Sequence, residues 1–102
     1  MPKIKKAARG KHRWIGLSFS DKISDFTEFK FHLESVLSIS RLKYLDYYNK
    51  QDRKSCIIKV SLNDYLSARE ILSQNPKEIV PITSSGKLKL VRQRLDAYFA
   101  ID

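Results

Sequence analysis

From Arg13 to Ser20 the side chains alternate, with Ile15, Leu17 and Phe19 on one face and Trp14, Gly16 and Ser18 on the other. A period of two is the mark of a strand that lies with one face on a core. The period then changes. Phe26, Phe29, Leu33, Val36 and Leu37 recur at helical spacing behind Asp25 and Glu28, which stand three residues apart as in a capping box. This predicts a helix running to about Ser38. Leu42 to Tyr48 is aromatic-rich and strand-like, Asn49 to Lys54 is a polar turn, and Cys56 to Val60 is a β-branched run, so an antiparallel hairpin is expected. Asn63 is a candidate cap for a second helix through about Gln74, with Leu62, Tyr65, Ala68 and Leu72 facing inward and Asn75-Pro76 ending it. A short fourth strand is expected from Ile79 to Thr83, followed by a last, basic helix.

Strand, helix, strand, strand, helix, strand is the order of the split βαβ, ferredoxin-like plan. The expected fold class is therefore α+β: a ferredoxin-like βαββαβ unit with one antiparallel four-stranded sheet and an extra basic C-terminal helix. Both crossover helices cover one sheet face in this plan, which leaves the other for a partner or for the terminal helix. With 102 residues the chain has room for one core, so residues 13–102 are read as a single domain. Residues 1–12 carry Lys3, Lys5, Lys6, Arg9 and Lys11 with no acidic residue and few apolar ones. They read as a flexible basic arm, either solubilising or ordering on phosphates.

Twenty Lys and Arg against eleven Asp and Glu give a formal charge of +9, which favours a polyanionic partner. The 42% hydrophobic fraction separates the chain from wholly disordered basic proteins. Catalytic constellations do not emerge. Cys56 is the one cysteine, and with His12 and His32 it offers no zinc spacing and no internal disulfide. Asp46 and Asp52 are the nearest to a carboxylate pair, but a hairpin turn accounts for them. The glycines, at 10, 16 and 86, form no P-loop or dinucleotide fingerprint. No protein-bound cofactor or metal is expected. No run of about eighteen apolar residues exists to span a membrane, and the chain reads as intracellular and cytoplasmic.

The chemistry concentrates at Ser84-Ser85-Gly86-Lys87-Leu88-Lys89-Leu90-Val91-Arg92-Gln93-Arg94-Leu95. Ser84 or Ser85 is placed to cap the helix, Gly86 admits a close backbone, and the first-turn amides with the positive end of the dipole suit a phosphate. Lys87, Lys89, Arg92 and Arg94 surround that point with mobile charge. A capped, solvated helix is the plain alternative. Leu88, Val91, Leu95, Tyr98 and Phe99 make one apolar stripe, bordered by Lys89 and Arg92 on one side and Lys87 and Arg94 on the other. Trp14 lies on the sheet face opposite the core, either to stack on a base or to be covered by a helix or partner. Phe31 falls off its helix stripe, so it broadens the core or marks a protein contact. Leu90 is a further candidate contact. The run Ser55 to Val60 lacks the aromatics of an RNA-recognition-motif third strand, so recognition is expected to rest on shape and phosphates.

Three segments together, Arg13-Trp14-Ile15-Gly16-Leu17-Ser18-Phe19, Cys56-Ile57-Ile58-Lys59-Val60 and Ser85 to Leu95, resemble the archaeal ribonuclease P protein component 2 family. That family opens with a basic residue, an aromatic and an apolar strand. Its third strand is glycine-led, of the Ile-Ile-Arg-Val type, and Ser-Gly-Thr leads into its basic helix. Lys87 stands here in place of the family's Thr and Cys56 in place of its Gly. The resemblance implies a non-catalytic subunit of a ribonucleoprotein endoribonuclease, whose RNA removes the 5′ leader from precursor tRNA with magnesium. It also implies ribonuclease P RNA, precursor tRNA and a TIM-barrel-like protein subunit as partners, in a two-plus-two hetero-tetramer. Ser85, Gly86, Lys87, Lys89, Arg92 and Arg94, with Lys5, Lys6, Arg9, Lys11 and Arg13, are the expected RNA contacts. Trp14, Phe31 and Leu90 are the expected protein contacts. Another RNA-binding subunit of similar fold, ribosomal or from a tRNA-modification complex, and a protein-interaction domain are the competing readings.

Overall fold

The computed structural model describes residues 12–39, 42–74 and 78–100. The elements are β1 (His12–Phe19), α1 (Phe26–Leu37), β2 (Lys43–Lys50), β3 (Arg53–Ser61), α2 (Leu62–Gln74), β4 (Ile79–Ser85) and α3 (Leu88–Phe99). Lys5, Lys6, Arg9 and Lys11 of the expected arm, and the expected stop at Asn75-Pro76, lie outside the described residues. The four strands form one antiparallel sheet in the order β2-β3-β1-β4, a helix placement and strand order compatible with the plan expected from the sequence.

The strands are longer than their apolar cores suggested. The hairpin turn shrinks to Gln51-Asp52, because Asn49, Lys50, Arg53 and Lys54 continue the β2–β3 ladder as polar cross-strand pairs. Pro81 stands in β4, an edge strand, where a missing N–H costs the sheet little. The helix starts also move. At α1, Asp25 is the cap and accepts from Glu28 N at 2.8 Å, while the Glu28 carboxylate reaches back one residue further than expected, to Ser24 N (2.9 Å) and Ser24 Oγ (2.6 Å). At α2 the expected cap Asn63 is inside the helix. Ser61 takes that part: its Oγ accepts from Asp64 N at 3.2 Å and donates to Asp64 Oδ2 at 3.0 Å.

Alternation along β1 and β3 sorts the core into two clusters on opposite sheet faces. Ile15, Leu17, Phe19, Cys56, Ile58 and Val60 meet Phe29, Leu33 and Leu37 of α1 and Ala68 and Leu72 of α2. Ile57, one residue out of phase, meets Val91 and Leu95 of α3. The sheet is therefore the middle of three layers. Burying a side chain such as Phe29 or Leu95 completely is worth about 1.5–3 kcal/mol each, so α3 is fastened as core and not as an appendage.

One irregularity in β2 shapes both layers. Leu45 pairs with Ile57 and Tyr48 with Ser55, so Asp46 and Tyr47 together oppose Cys56, and Asp46 sits at φ 50°. That is a β-bulge, with Asp tolerating the left-handed region better than most residues. The extra residue resets the alternation. Tyr44 and Tyr47 thereby share one face, where they join Phe19, Phe26 and Phe29 in an aromatic cluster with neighbouring ring centroids 5.0–6.5 Å apart.

Candidate nucleic-acid interface

Helix α3 lies on the sheet face that the crossover helices leave open, and its stripe explains why. Val91 and Leu95 are fully buried, with Trp14, Leu45, Ile82, Leu88 and Phe99 packed around them and Ile57 beneath. Tyr98, expected on the same stripe, is 47% exposed and turned edge-on to Phe99. Gly16 makes the close approach possible, since a Cβ there would stand 3.0–3.1 Å from the Leu95 side chain. Trp14 is covered by the chain's own helix. His12 meets its ring edge-on at 5.3 Å and Lys59 Nζ lies 5.3 Å from the ring centroid. A base has no open sheet platform here of the kind an RNA-recognition motif offers.

Both borders of α3 are tied to the sheet. On the β2–β3 side, Arg92 Nε donates to Asp46 Oδ2 at 2.8 Å and Arg92 Nη2 to Asp46 Oδ1 at 3.4 Å. The Asp46 carboxylate, by hydrogen bond and charge, holds the guanidinium pKa of Arg92 above its ordinary value. Asp46 is thus an anchor at the bulge and not a turn residue. Arg53 Nη1 donates to Asp96 Oδ1 at 2.8 Å and Arg53 Nε to Ser55 Oγ at 3.1 Å, with the guanidinium between the rings of Tyr48 and Phe99. On the β4 side, Arg94 Nη1 donates to Thr83 Oγ1 and to the Ser84 carbonyl, each at 3.3 Å.

The expected cation group is therefore divided. Arg92, expected as an RNA contact, is paired with Asp46. Lys87 and Lys89, both exposed, make no ion pair among the described residues. They stand at the positive end of α3, whose N-cap is Lys87 and which has no side-chain cap. Ser84 and Ser85 do not cap it because β4 runs through both. Ser85 Oγ instead accepts from Lys87 N at 3.1 Å, and Ser84 Oγ shares a 2.7 Å hydrogen bond with the Tyr65 hydroxyl. Gly86 admits a side chain and not a backbone: a Cβ there would meet Arg13 Nη1 at 3.1 Å.

The expected protein contacts separate as well. Phe31 is 73% exposed on α1, so it does not broaden the core, and Leu66 on α2 is 71% exposed. Leu90 is half-buried on α3.

Sequence reasoning missed Tyr65 and Arg69 of α2 as companions of Arg13. Arg13 and Arg69 place their guanidinium carbons 5.7 and 5.8 Å from the Tyr65 ring centroid, and Arg69 Nη1 donates to the Tyr65 hydroxyl at 3.4 Å. Burial alone would raise the Tyr65 pKa. The Ser84 and Arg69 hydrogen bonds and the charges of Arg69 and Arg13 outweigh it and bring the pKa below its ordinary value. The i, i+4 spacing of Tyr65 and Arg69 was the available signal. Among the described residues no group of three or more His, Cys, Asp or Glu is arranged to hold a metal ion, and no helix is long and apolar enough to cross a membrane. Cys56 is buried, its thiol pushed up to about 12 by that burial. In comparisons with known proteins, no family model and no curated protein matches the chain.

Proposed function

We propose that this protein is a ferredoxin-like, non-catalytic RNA-binding subunit of ribonuclease P, which binds and organises the catalytic RNA that removes the 5′ leader from precursor tRNA. The observation that carries the reading is the first turn of α3. It bears Lys87 and Lys89, has no side-chain cap, and is held in place by Val91, Leu95 and the Arg92–Asp46 pair. A helix start with no side-chain cap and with unpaired lysines is chemically suited to a phosphodiester. The excess of nine positive charges and the resemblance of the first, third and last motifs to the family support the same reading. Recognition then runs through phosphates and shape, since α3 occupies the face on which bases would stack. Magnesium belongs to the RNA's chemistry, and the protein's part is to hold the fold that binds it. The TIM-barrel-like subunit is the expected protein partner in the two-plus-two complex, and exposed Phe31 is the apolar anchor offered to it.

Reconstitution tests this directly. With ribonuclease P RNA and the other protein subunits, omission of this protein should lower leader cleavage at limiting magnesium. Undiminished activity without it refutes the assignment. Co-purification from native extract, with sequencing of the bound RNA, should return ribonuclease P RNA; recovery of ribosomal RNA or tRNA alone would transfer the protein to another RNA-binding assembly.

A further inference from the structure

A second group of cations borders the edge strand β4, reaching from Arg13, beside Gly86, to Arg69 on α2. Arg13 comes from β1, Arg69 from α2 and Arg94 from α3. Arg13 and Arg69 flank the Tyr65 ring at 5.7 and 5.8 Å, the Tyr65 hydroxyl is joined to Ser84 Oγ at 2.7 Å, and Arg94 reaches Thr83 Oγ1 and the Ser84 carbonyl at 3.3 Å. Arg69, Thr83 and Ser84 also line a hollow of about 280 Å³ between α2 and the edge strand. None of the three arginines is in an ion pair among the described residues, whereas Arg53 and Arg92, on the opposite border of α3, both are. Arg13 and Arg69 crowd one ring on the α2 face with no carboxylate paired to either among the described residues, and the repulsion between them is relieved when an anion enters, while Arg94 approaches the same strand from the α3 face. Guanidinium forks match the oxygens of a phosphate in pairs, and the serine, threonine and tyrosine hydroxyls beside them supply further hydrogen bonds.

We infer that this arginine centre is a second phosphate-binding site, which grips the backbone of an RNA strand along the β4 edge. The inference rests on the RNA-binding reading above and adds to it a distinct point of contact. Lys87 and Lys89 take one part of the strand at the start of α3, and Arg69, with Arg13 across the Tyr65 ring, takes another along the α2 side of β4. Arg69 is the residue that decides the matter, because it is exposed, belongs to α2 and has no share in the lysine site or in anchoring α3.

The test is the salt dependence of binding to a fluorescently labelled ribonuclease P RNA transcript, measured by anisotropy with the full chain. Each phosphate neutralised contributes roughly 0.7–0.9 to the slope of log K against log salt. Arg69→Gln should lower the slope by about one such step and weaken binding at fixed salt. Arg69→Lys should keep the slope and still weaken binding, because the charge stays and the fork is lost. Lys22→Gln, an exposed charge in the turn at the far end of β1, should change neither. Circular dichroism and Trp14 fluorescence show that each variant is folded. If Lys87→Ala lowers the slope while Arg69→Gln leaves it unaltered, the second site is refuted and the RNA-binding reading stands. If the unaltered protein does not bind the transcript, both fall.

Discussion

The contact between Gly16 and Leu95 is the tightest point of the layer that α3 forms, and it yields a prediction whose sign is not obvious. Replacing a strand glycine by alanine ordinarily gains about 0.5–1 kcal/mol, because the unfolded chain loses freedom. Here the added methyl would stand 3.0 Å from Leu95 Cγ and Cδ1 and 3.1 Å from Cδ2, so the whole branch, and not one rotatable tip, lies in its way. Leu95 is fully buried and has no open side to retreat to. Overpacking of this kind costs about 1–3 kcal/mol, which exceeds the backbone gain and leaves Gly16→Ala destabilising by about 1–2 kcal/mol. For a chain of this size that is a fall in Tm of about 5–15 °C, or of about 0.5–1.5 M in urea midpoint. Trp14 is the one tryptophan and packs in the same cluster, so its fluorescence reports the transition. Leu95→Ala alone should cost about 2–5 kcal/mol through lost burial and a cavity. In the double variant the methyl added at position 16 enters the space that Leu95 leaves, and the two losses should sum to at least about 1 kcal/mol less than their separate values. Additive losses, or a stabilised Gly16→Ala protein, would refute the claim that close packing of α3 on β1 fixes the helix.

Lys87→Ala and Lys89→Ala should each reduce the salt slope of RNA binding by roughly 0.7–0.9, whereas Arg92→Ala should leave the slope intact and lower the urea midpoint, because its charge is already engaged by Asp46. An Arg92 effect on the slope equal to that of the lysines would overturn this division. Glu28 has its carboxyl pKa lowered by the Ser24 hydroxyl and backbone hydrogen bonds. Its support for α1 is complete above the unfolded carboxyl value of about 4.3 and is lost as pH falls through the lower folded value. The stability gap between the unaltered protein and Glu28→Gln should therefore be open at neutral pH and close in acid; a gap independent of pH would refute the capping contact. Burial pushes the Cys56 thiol up to about 12, so a disulfide reagent at a pH of about 8, below the ordinary thiol value, should leave it unmodified in the native protein and titrate one thiol in urea. Rapid modification of the native chain would show that the core opens at β3.

The order of strands and helices along the chain was legible because strand and helix periods read directly from Ile15, Leu17 and Phe19 and from Phe29, Leu33 and Leu37. Element ends were less so. Ser61 and Asn63 are both good caps by type, and only the structure shows that the helix begins at Leu62, with the Ser61 hydroxyl bonded to Asp64 N. Ser84 and Ser85 read as a turn because small polar residues usually punctuate the chain, yet pairing with Ile15 and Trp14 extends β4 through them. The bulge at Asp46 left no local sign, since no glycine marks it, and without it the faces of Tyr47 and Tyr48 are misassigned. At the site, local spacing placed Lys87 and Lys89 at the start of the last helix but could not show that Arg92 meets Asp46, forty-six residues away. Nor could it join Arg13 to Arg69, which become neighbours only through the tertiary fold.

The closing of the second sheet face constrains how such a protein can recognise RNA. A sheet with one face free can stack bases on exposed aromatics and so read sequence. Here Val91 and Leu95 fill that face, and withdrawing them would expose two fully buried side chains, each worth about 1.5–3 kcal/mol, and break the Arg92–Asp46 and Arg53–Asp96 pairs as well. The helix is therefore no lid. On the proposed RNA-binding reading, contact falls to the rim, where the start of α3 and the β4 edge carry cations that no acidic residue among those described neutralises. Contacts proposed there would fall on phosphates, which are alike at every nucleotide, so discrimination would come from the spacing of the cationic groups against the shape of a folded RNA. A fixed helix serves that purpose better than a mobile one, and the ties on both borders of α3 supply the fixing.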